Sequence, residues 1–243
     1  ARYGLTYTDE SVWSPYSHQK PPDGDWRMWL LLGGRGSGKT EAGARYVLEH
    51  LRKYGKKARV GIGAPTIQSA REVCAEGDSG LITIAGGEFM WNRSLLEARH
   101  KDGGYVKFLG AEEPARWNGP QWSLLWADEL ALWNEASWHQ AQFGLRLGDK
   151  PKAIVTTTPK NRKFVRALSE MASTTTVRAT TYDNPTLSET VQERLRQQYG
   201  GTRIGRQEIM AEWLDDVPNA LWRNDMIKSK QMAEVPSLER IVV

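Results

Sequence analysis

The sequence predicts an α/β fold on a largely parallel sheet, and three observations point there. A glycine-rich phosphate-binding pattern sits between a short apolar run and an amphipathic helix. A second apolar run ends in two adjacent carboxylates. Strand-like and helical segments alternate along most of the 243 residues.

At 40% hydrophobic and 26% charged residues the chain can bury a real core, as one large domain or one plus a small appendage. No apolar run approaches the roughly 20 residues that cross a bilayer. The opening Ala1-Arg2-Tyr3-Gly4 does not read as a signal peptide. A soluble protein without membrane contact is therefore expected. The single cysteine, Cys74, forms no internal disulfide, fits a reducing compartment and reads as a small buried hydrophobe. A net charge of +4 and a pI near 9.1 permit a polyanionic partner without demanding one. The eleven tryptophans are scattered and are assigned to packing, none to base stacking.

Residues 1–27 are polar and broken by Ser14-Pro15 and Pro21-Pro22-Asp23-Gly24. Gln19 stands among them with an amide that can donate to and accept from an adenine edge, although a loop glutamine is more often simply solvated. Met28-Trp29-Leu30-Leu31-Leu32 reads as a buried strand. Ala44, Val47, Leu48 and Leu51 then mark one face of a helix that Gly55 can end.

Between strand and helix lie Gly33, Gly34, Arg35, Gly36, Ser37, Gly38, Lys39 and Thr40, the G-x-x-x-x-G-K-[ST] pattern. Its residue types follow from the chemistry of wrapping a triphosphate. Glycines allow positive φ and close approach, so that backbone N–H groups and the helix N-terminus face the phosphates. Lys39 supplies a full charge to the β- and γ-phosphates and Thr40 a hydroxyl for Mg²⁺.

Ala58 to Gly63 reads as a strand, and Thr66 can cap a helix through about Ala75. Leu81–Ala85 and Glu88–Trp91 are ambiguous, whereas Tyr105–Leu109 is a further strand. After the loop Glu112–Gln121, the run Trp122–Ala127 reads as buried strand and ends in Asp128-Glu129. With a phosphate loop upstream, Asp128 is placed to hold Mg²⁺ through its water shell and Glu129 to act on the attacking water.

Asn134 can cap a helix to about Gly144. Ala153-Ile154-Val155 leads into Thr156, Thr157 and Thr158, where a third strand could present hydroxyls that sense the γ-phosphate; threonine is also simply at home in strands. A helix over Asn161–Met171 and a strand over Thr174–Thr181 follow. Thr186-Leu187-Ser188-Glu189 reads as a capping box opening a helix with Leu187, Val191 and Leu195 on one face, and Thr202 as the cap of another helix reaching about Leu214. With no strand between them, these two helices suggest a small subdomain whose Arg194, Arg196, Arg203 and Arg206 read as a solvated face.

Together these elements resemble the large terminase subunit of tailed bacteriophages. The matching stretches include Gln19–Pro22, Gly33–Thr40, Gly119-Pro120-Gln121, Leu124–Glu129, Gly144–Gly148, Thr156–Pro159, Thr181–Asn184 and Gly201–Glu208. The resemblance implies an ASCE-type P-loop NTPase with another strand between the phosphate-loop and Asp-Glu strands. It implies a core over 1–185, a helical lid over 186–216, a linker over 217–237, and at 238–243 the first strand of a nuclease domain cut before its first catalytic acid. It implies Mg²⁺-dependent ATP hydrolysis that drives double-stranded DNA into a procapsid. The expected setting is the host cell cytoplasm, as a ring on the portal protein with the small terminase subunit, and a monomer is the alternative for the isolated chain. Gln19 becomes the adenine contact and Thr156–Thr158 the coupling motif. Relatives often carry an arginine finger where this chain has Asn118; Arg35, Arg116 and Arg146 are the candidates to replace it, in cis or in trans. A helicase-like translocase on the same core is the alternative.

Overall fold

The computed structural model describes residues 13–214, 226 and 229–231. The expected strand at 238–243 and most of the expected linker lie outside the described residues. In chain order the elements are β1 (Met28–Gly33), α1 (Lys39–Tyr54), β2 (Arg59–Ala64), α2 (Ile67–Ser69), α3 (Leu81–Ile84), β3 (Phe89–Asn92), β4 (Glu97–His100) and β5 (Tyr105–Gly110). Then come β6 (Leu124–Asp128), α4 (Glu135–Gly144), β7 (Lys152–Thr157), α5 (Lys163–Glu170), β8 (Thr174–Ala179) and α6 (Glu189–Tyr199).

The eight strands form one sheet in the order β3-β4-β5-β2-β6-β7-β1-β8. Only β4 runs against the rest, antiparallel to both β3 and β5, so the other seven strands run the same way and end towards one common edge. Ligand sites of open α/β sheets form outside such carboxyl ends. As expected, β7 lies between β6 and β1.

Two apolar layers hold the sheet. Trp29 and Leu31 of β1 face Val47, Leu48 and Leu51 of α1, while Met28, Leu30 and Leu32 join Trp138, Val165 and Leu168 in the opposite layer. The alternation follows from the two-residue period of a strand. Six tryptophans, Trp29, Trp117, Trp122, Trp126, Trp133 and Trp138, are fully buried, in keeping with a packing role.

Gly43 lets α1 lie directly on Trp126, because a Cβ there would stand 2.4 Å from the indole ring. Gly43→Ala should therefore destabilise the fold by about 1–3 kcal/mol through overpacking, despite alanine's better helix propensity. Denaturant unfolding of the variant checks this, and an unchanged midpoint would count against the packing argument.

Several boundaries differ from expectation. The hairpin of β3 and β4 resolves the ambiguous Glu88–Trp91 segment, and β4 has no counterpart in the sequence reading. Thr66 does cap α2 by accepting from the Ser69 amide, and wide π-type turns carry the chain on through Ala75. The helix expected to open at Thr186 opens instead at Ser188, whose hydroxyl accepts from Val191. Asn184 Oδ1 explains the shift, since it captures both the amide and the hydroxyl of Thr186 in a local turn. The final helix is likewise shorter, covering Gly205–Ile209, and Ala211 at φ 51° turns the chain out of it.

Candidate active site

β1 runs into the phosphate loop, where Gly36 and Gly38 adopt φ of 71° and 83°. These left-handed conformations are where glycine is needed, and they bring the loop round to the N-terminus of α1. The first-turn N–H groups of that helix have no intrahelical acceptor. Ser37 is fully buried in the loop, and its hydroxyl finds no hydrogen-bond partner among the described residues. A buried orphan hydroxyl beside unpaired helix amides suits an oxyanion ligand.

The expected acidic pair arrives from β6. In a continuing strand Asp128 and Glu129 would point to opposite faces. Instead Glu129 turns left-handed, at φ 50° and ψ 46°, and ends the strand there. Both carboxylates then meet groups of neighbouring elements. Glu129 Oε1 lies 3.0 Å from Lys39 Nζ, and Glu129 Oε2 accepts from the Thr158 amide at 3.2 Å. Asp128 is 3% exposed, and its Oδ1 accepts from the Thr156 hydroxyl at 2.7 Å. Burial first, and the Glu129 charge second, raise the Asp128 pKa, while Thr156, Lys39 and Cys74 oppose them. Cys74 Sγ sits 3.7 Å from Asp128 Oδ2, and burial followed by the Asp128 charge pushes its thiol pKa up. Cys74 is thus a buried inert thiol.

Each coupling threonine has partners inside the protein. The Thr156 hydroxyl, besides donating to Asp128, accepts from Trp126 Nε1 at 2.9 Å. Thr157 accepts from the Ala131 amide at 3.1 Å. Thr158 donates to Gly33 O at 3.1 Å, so β7 touches both the phosphate loop and the acidic pair.

The chain beyond β8 returns to the same loop. Thr181 Oγ1 donates to Arg35 O at 2.7 Å, and Asn184 Nδ2 to Gly36 O at 2.8 Å. The Arg35 amide donates to Glu208 O at 2.8 Å, and Arg35 Nε pairs with Glu208 Oε2 at 2.9 Å. Glu208 also lies 3.8 Å from Lys160, just past the coupling threonines. Sequence reasoning assigned no role to Trp126, Lys160, Thr181, Asn184 or Glu208. Thr181, Asn184 and Glu208 do fall in stretches that carried the family resemblance, which was the available signal.

Of the remaining candidates, Gln19 and Arg35 stay at the phosphate loop and Arg146 does not. Gln19 is 3% exposed and braces the phosphate loop, with Nε2 donating to Gly38 O at 3.0 Å and Oε1 accepting from the Tyr16 amide at 3.0 Å. Arg35 projects from the phosphate loop with an 80% exposed side chain. Arg116 is exposed and pairs with Glu113 at 2.5 Å. Arg146 sits at the opposite end of the sheet, its amide bonded to Trp122 O ahead of β6. Six residue steps, most of them in β6, separate Trp122 from Asp128, about 20 Å at ~3.3 Å per residue, so Arg146 does not reach its own chain's phosphate loop.

That amino edge holds His50, whose Nε2 lies 2.9 Å from Ser123 Oγ. Burial, with help from Lys53 and Lys152, lowers its pKa from 6.5 to about 4. The unfolded chain therefore takes up a proton first. The stability His50 contributes is complete above about pH 6.5 and is lost as pH falls towards about 4. Urea titrations at about pH 7 and about pH 4.5 should show wild type losing more stability than His50→Gln. Equal losses would contradict the assignment.

A phosphate loop, its lysine and an acidic pair of buried Asp128 and half-buried Glu129 at the carboxyl edge of a largely parallel sheet define a P-loop NTPase domain. The chain belongs to the large terminase family, since residues 30–229 match the terminase large subunit, T4likevirus-type, N-terminal. No curated protein matches it. Among solved structures, the large terminase of a thermophilic bacteriophage in complex with ADP aligns at TM-score 0.67 and 21% identity, over 78% of this chain and 49% of that one. The same protein in complex with ATP-gamma-S aligns at 0.64 and 20%, over 78% and 48%. The large terminase ATPase domain of Thermus phage P74-26 aligns at 0.64 and 16%, over 87% of this chain and 100% of that domain. The chain thus spans about half the length of the terminase solved with ADP. No helix among the described residues is long and apolar enough to cross a membrane.

Proposed function

We propose that this chain hydrolyses ATP with Mg²⁺ and supplies the power stroke of a DNA-packaging motor. In that motor a ring of subunits on the portal, with the small terminase subunit, drives double-stranded DNA into a procapsid in the host cytoplasm. One observation carries the proposal: Lys39 of the phosphate loop and Glu129 of the acidic strand meet at 3.0 Å beside buried Asp128. The ADP and ATP-gamma-S complexes of the thermophilic phage relative support it.

No group of three or more His, Cys, Asp or Glu that could hold a metal occurs among the described residues. That fits Mg²⁺, which is usually held by one or two carboxylates plus substrate phosphates. Thr40 and Asp128 would hold it, and when bound it neutralises charge on the triphosphate.

The residues then divide the work. The Gly33–Thr40 loop wraps the phosphates. A γ-phosphate beside Lys39 competes with Glu129 for the ammonium group, and the released Glu129 carboxylate can orient the attacking water. Arg35, already on the loop, neutralises developing charge in cis; Arg146, at the opposite end of the sheet, can serve only a neighbouring subunit's nucleotide, and Arg116, exposed beyond β5, is the further candidate. Thr156–Thr158 relay the state of the site through bonds to Asp128, Ala131 and Gly33. Gln19 keeps one amide N–H for an adenine edge while bracing Gly38.

Phosphate release from Mg·ATP without any added acceptor tests the reading. Release stimulated by duplex DNA and rising with protein concentration is expected. Binding without release under all these conditions would reduce the nucleotide to a structural clamp, and strand separation would favour a helicase.

A further inference from the structure

The amino edge of the sheet, opposite the phosphate loop, carries two cavities. One of about 760 Å³ is bordered by Lys53, Lys57, Lys150 and Lys152, and one of about 370 Å³ by Lys56, Arg59, Arg99 and Lys107. Against these eight cations the linings offer four carboxylates, Asp25, Glu49, Glu97 and Asp149. The two linings thus carry a local surplus of four positive charges. Two of the carboxylates are already engaged, Asp25 with Lys150 and Glu97 with Lys107.

The cations also bear on one another. The Lys152 pKa is lowered by burial first; Asp25 opposes this, and the charges of Lys150, Lys53 and Arg27 add to it. Cations crowded in this way gain from an anion that settles among them. Their arrangement also favours an extended ligand. Arg59 opens β2, Lys152 opens β7 and Arg27 precedes β1, a row crossing three strand spacings, or about 14 Å at ~4.8 Å each. The connection Gly55–Lys57 separates the two cavities, so one occupant of both must present repeated charges over a ridge. A duplex, with one charge per ~1.7 Å of axis, does so as a rigid rod, whereas an acidic peptide would settle into one groove.

We propose that this amino-edge face binds the phosphate backbone of double-stranded DNA, without reading its sequence. The choice of polyanion rests on the packaging-motor reading, but the binding is measured without nucleotide turnover, so the two can fail separately.

The test is fluorescence anisotropy of a labelled duplex across a salt series, using the 243-residue chain and the variant Lys53→Gln/Lys56→Gln/Lys57→Gln. All three lysines are exposed, so the fold should survive the change. Affinity should fall roughly tenfold or more, and the slope of log K against log salt should shrink by about 2–3. A control, Arg194→Gln/Arg196→Gln on α6, should bind as wild type does. Hydrogen exchange on the unmodified chain should show duplex-dependent protection at 53–59 and 147–152. The proposal is overturned if the lysine variant binds normally, or if protection falls on α6 instead. It is equally overturned if polyglutamate binds as tightly as the duplex, which would indicate an acidic protein partner, or if millimolar inorganic phosphate displaces the duplex, which would indicate a small-anion pocket.

Discussion

Replacing Glu129 with glutamine should leave nucleotide binding intact and lower the rate of phosphate release by roughly 10²–10⁴-fold, the usual contribution of a positioned proton acceptor. Glutamine keeps the size and the hydrogen-bond acceptor that meets the Thr158 amide, so the geometry after β6 should persist. What it loses is the negative charge that lies 3.0 Å from Lys39. Because that charge competes with phosphate for the lysine, Glu129→Gln should bind ATP at least as tightly as wild type. Equilibrium binding and single-turnover phosphate release, measured on the same preparation, separate the two effects. Unchanged turnover would remove Glu129 from the chemistry. Loss of binding and turnover together would mean that the residue is structural.

Thr156→Val should lower activity by about 10–100-fold, the usual cost of removing a group that orients a metal-associated carboxylate. Valine keeps the shape of threonine and its place in β7 but cannot donate to Asp128 Oδ1 or accept from Trp126 Nε1. Two buried polar atoms would be left without partners, costing about 1–3 kcal/mol each where nothing else satisfies them. The loss should appear as a higher Mg²⁺ requirement, whereas a merely structural role would lower Tm without moving the Mg²⁺ titration. Thr156→Ser, which keeps the hydroxyl, should restore most of the activity.

Much of this site was legible in the sequence for physical reasons. A phosphate loop needs positive φ at fixed positions, and Gly36 and Gly38 supply it. The buried strand leading to Asp128 and the β-branched strand leading to Thr156 reveal themselves by unbroken apolar runs, as strands covered on both faces do. Local caps such as Thr66 and Asn134 were also readable, because a side chain bonding two or three residues ahead leaves its mark in the nearby sequence.

What escaped depends on long-range pairing. For Arg146 the sequence left cis and trans action open; the pairing of Trp122 with Leu145 places it at the far edge of the sheet. Strand β4, with the sequence Glu97-Ala98-Arg99-His100, has only Ala98 as an apolar residue, and its buried His100 is held by Glu88, just ahead of the partner strand β3. The clamp of Thr181, Asn184 and Glu208 on the phosphate loop joins residues nearly 150 or more positions apart, and no local pattern encodes it. Ala211 at φ 51° ended a helix that its own residue type would have continued.

The central claim is that Lys39, Thr40, Asp128 and Glu129 converge on one metal-bound triphosphate. The most direct measurement is the anomalous scattering of Mn²⁺ in crystals grown with a slowly hydrolysed ATP analogue. The ion should sit on the Thr40 hydroxyl at about 2.1–2.3 Å, with Asp128 on its water shell and Lys39 on the β- and γ-phosphates. A triphosphate bound away from this loop, or an ion remote from Asp128, would contradict the account.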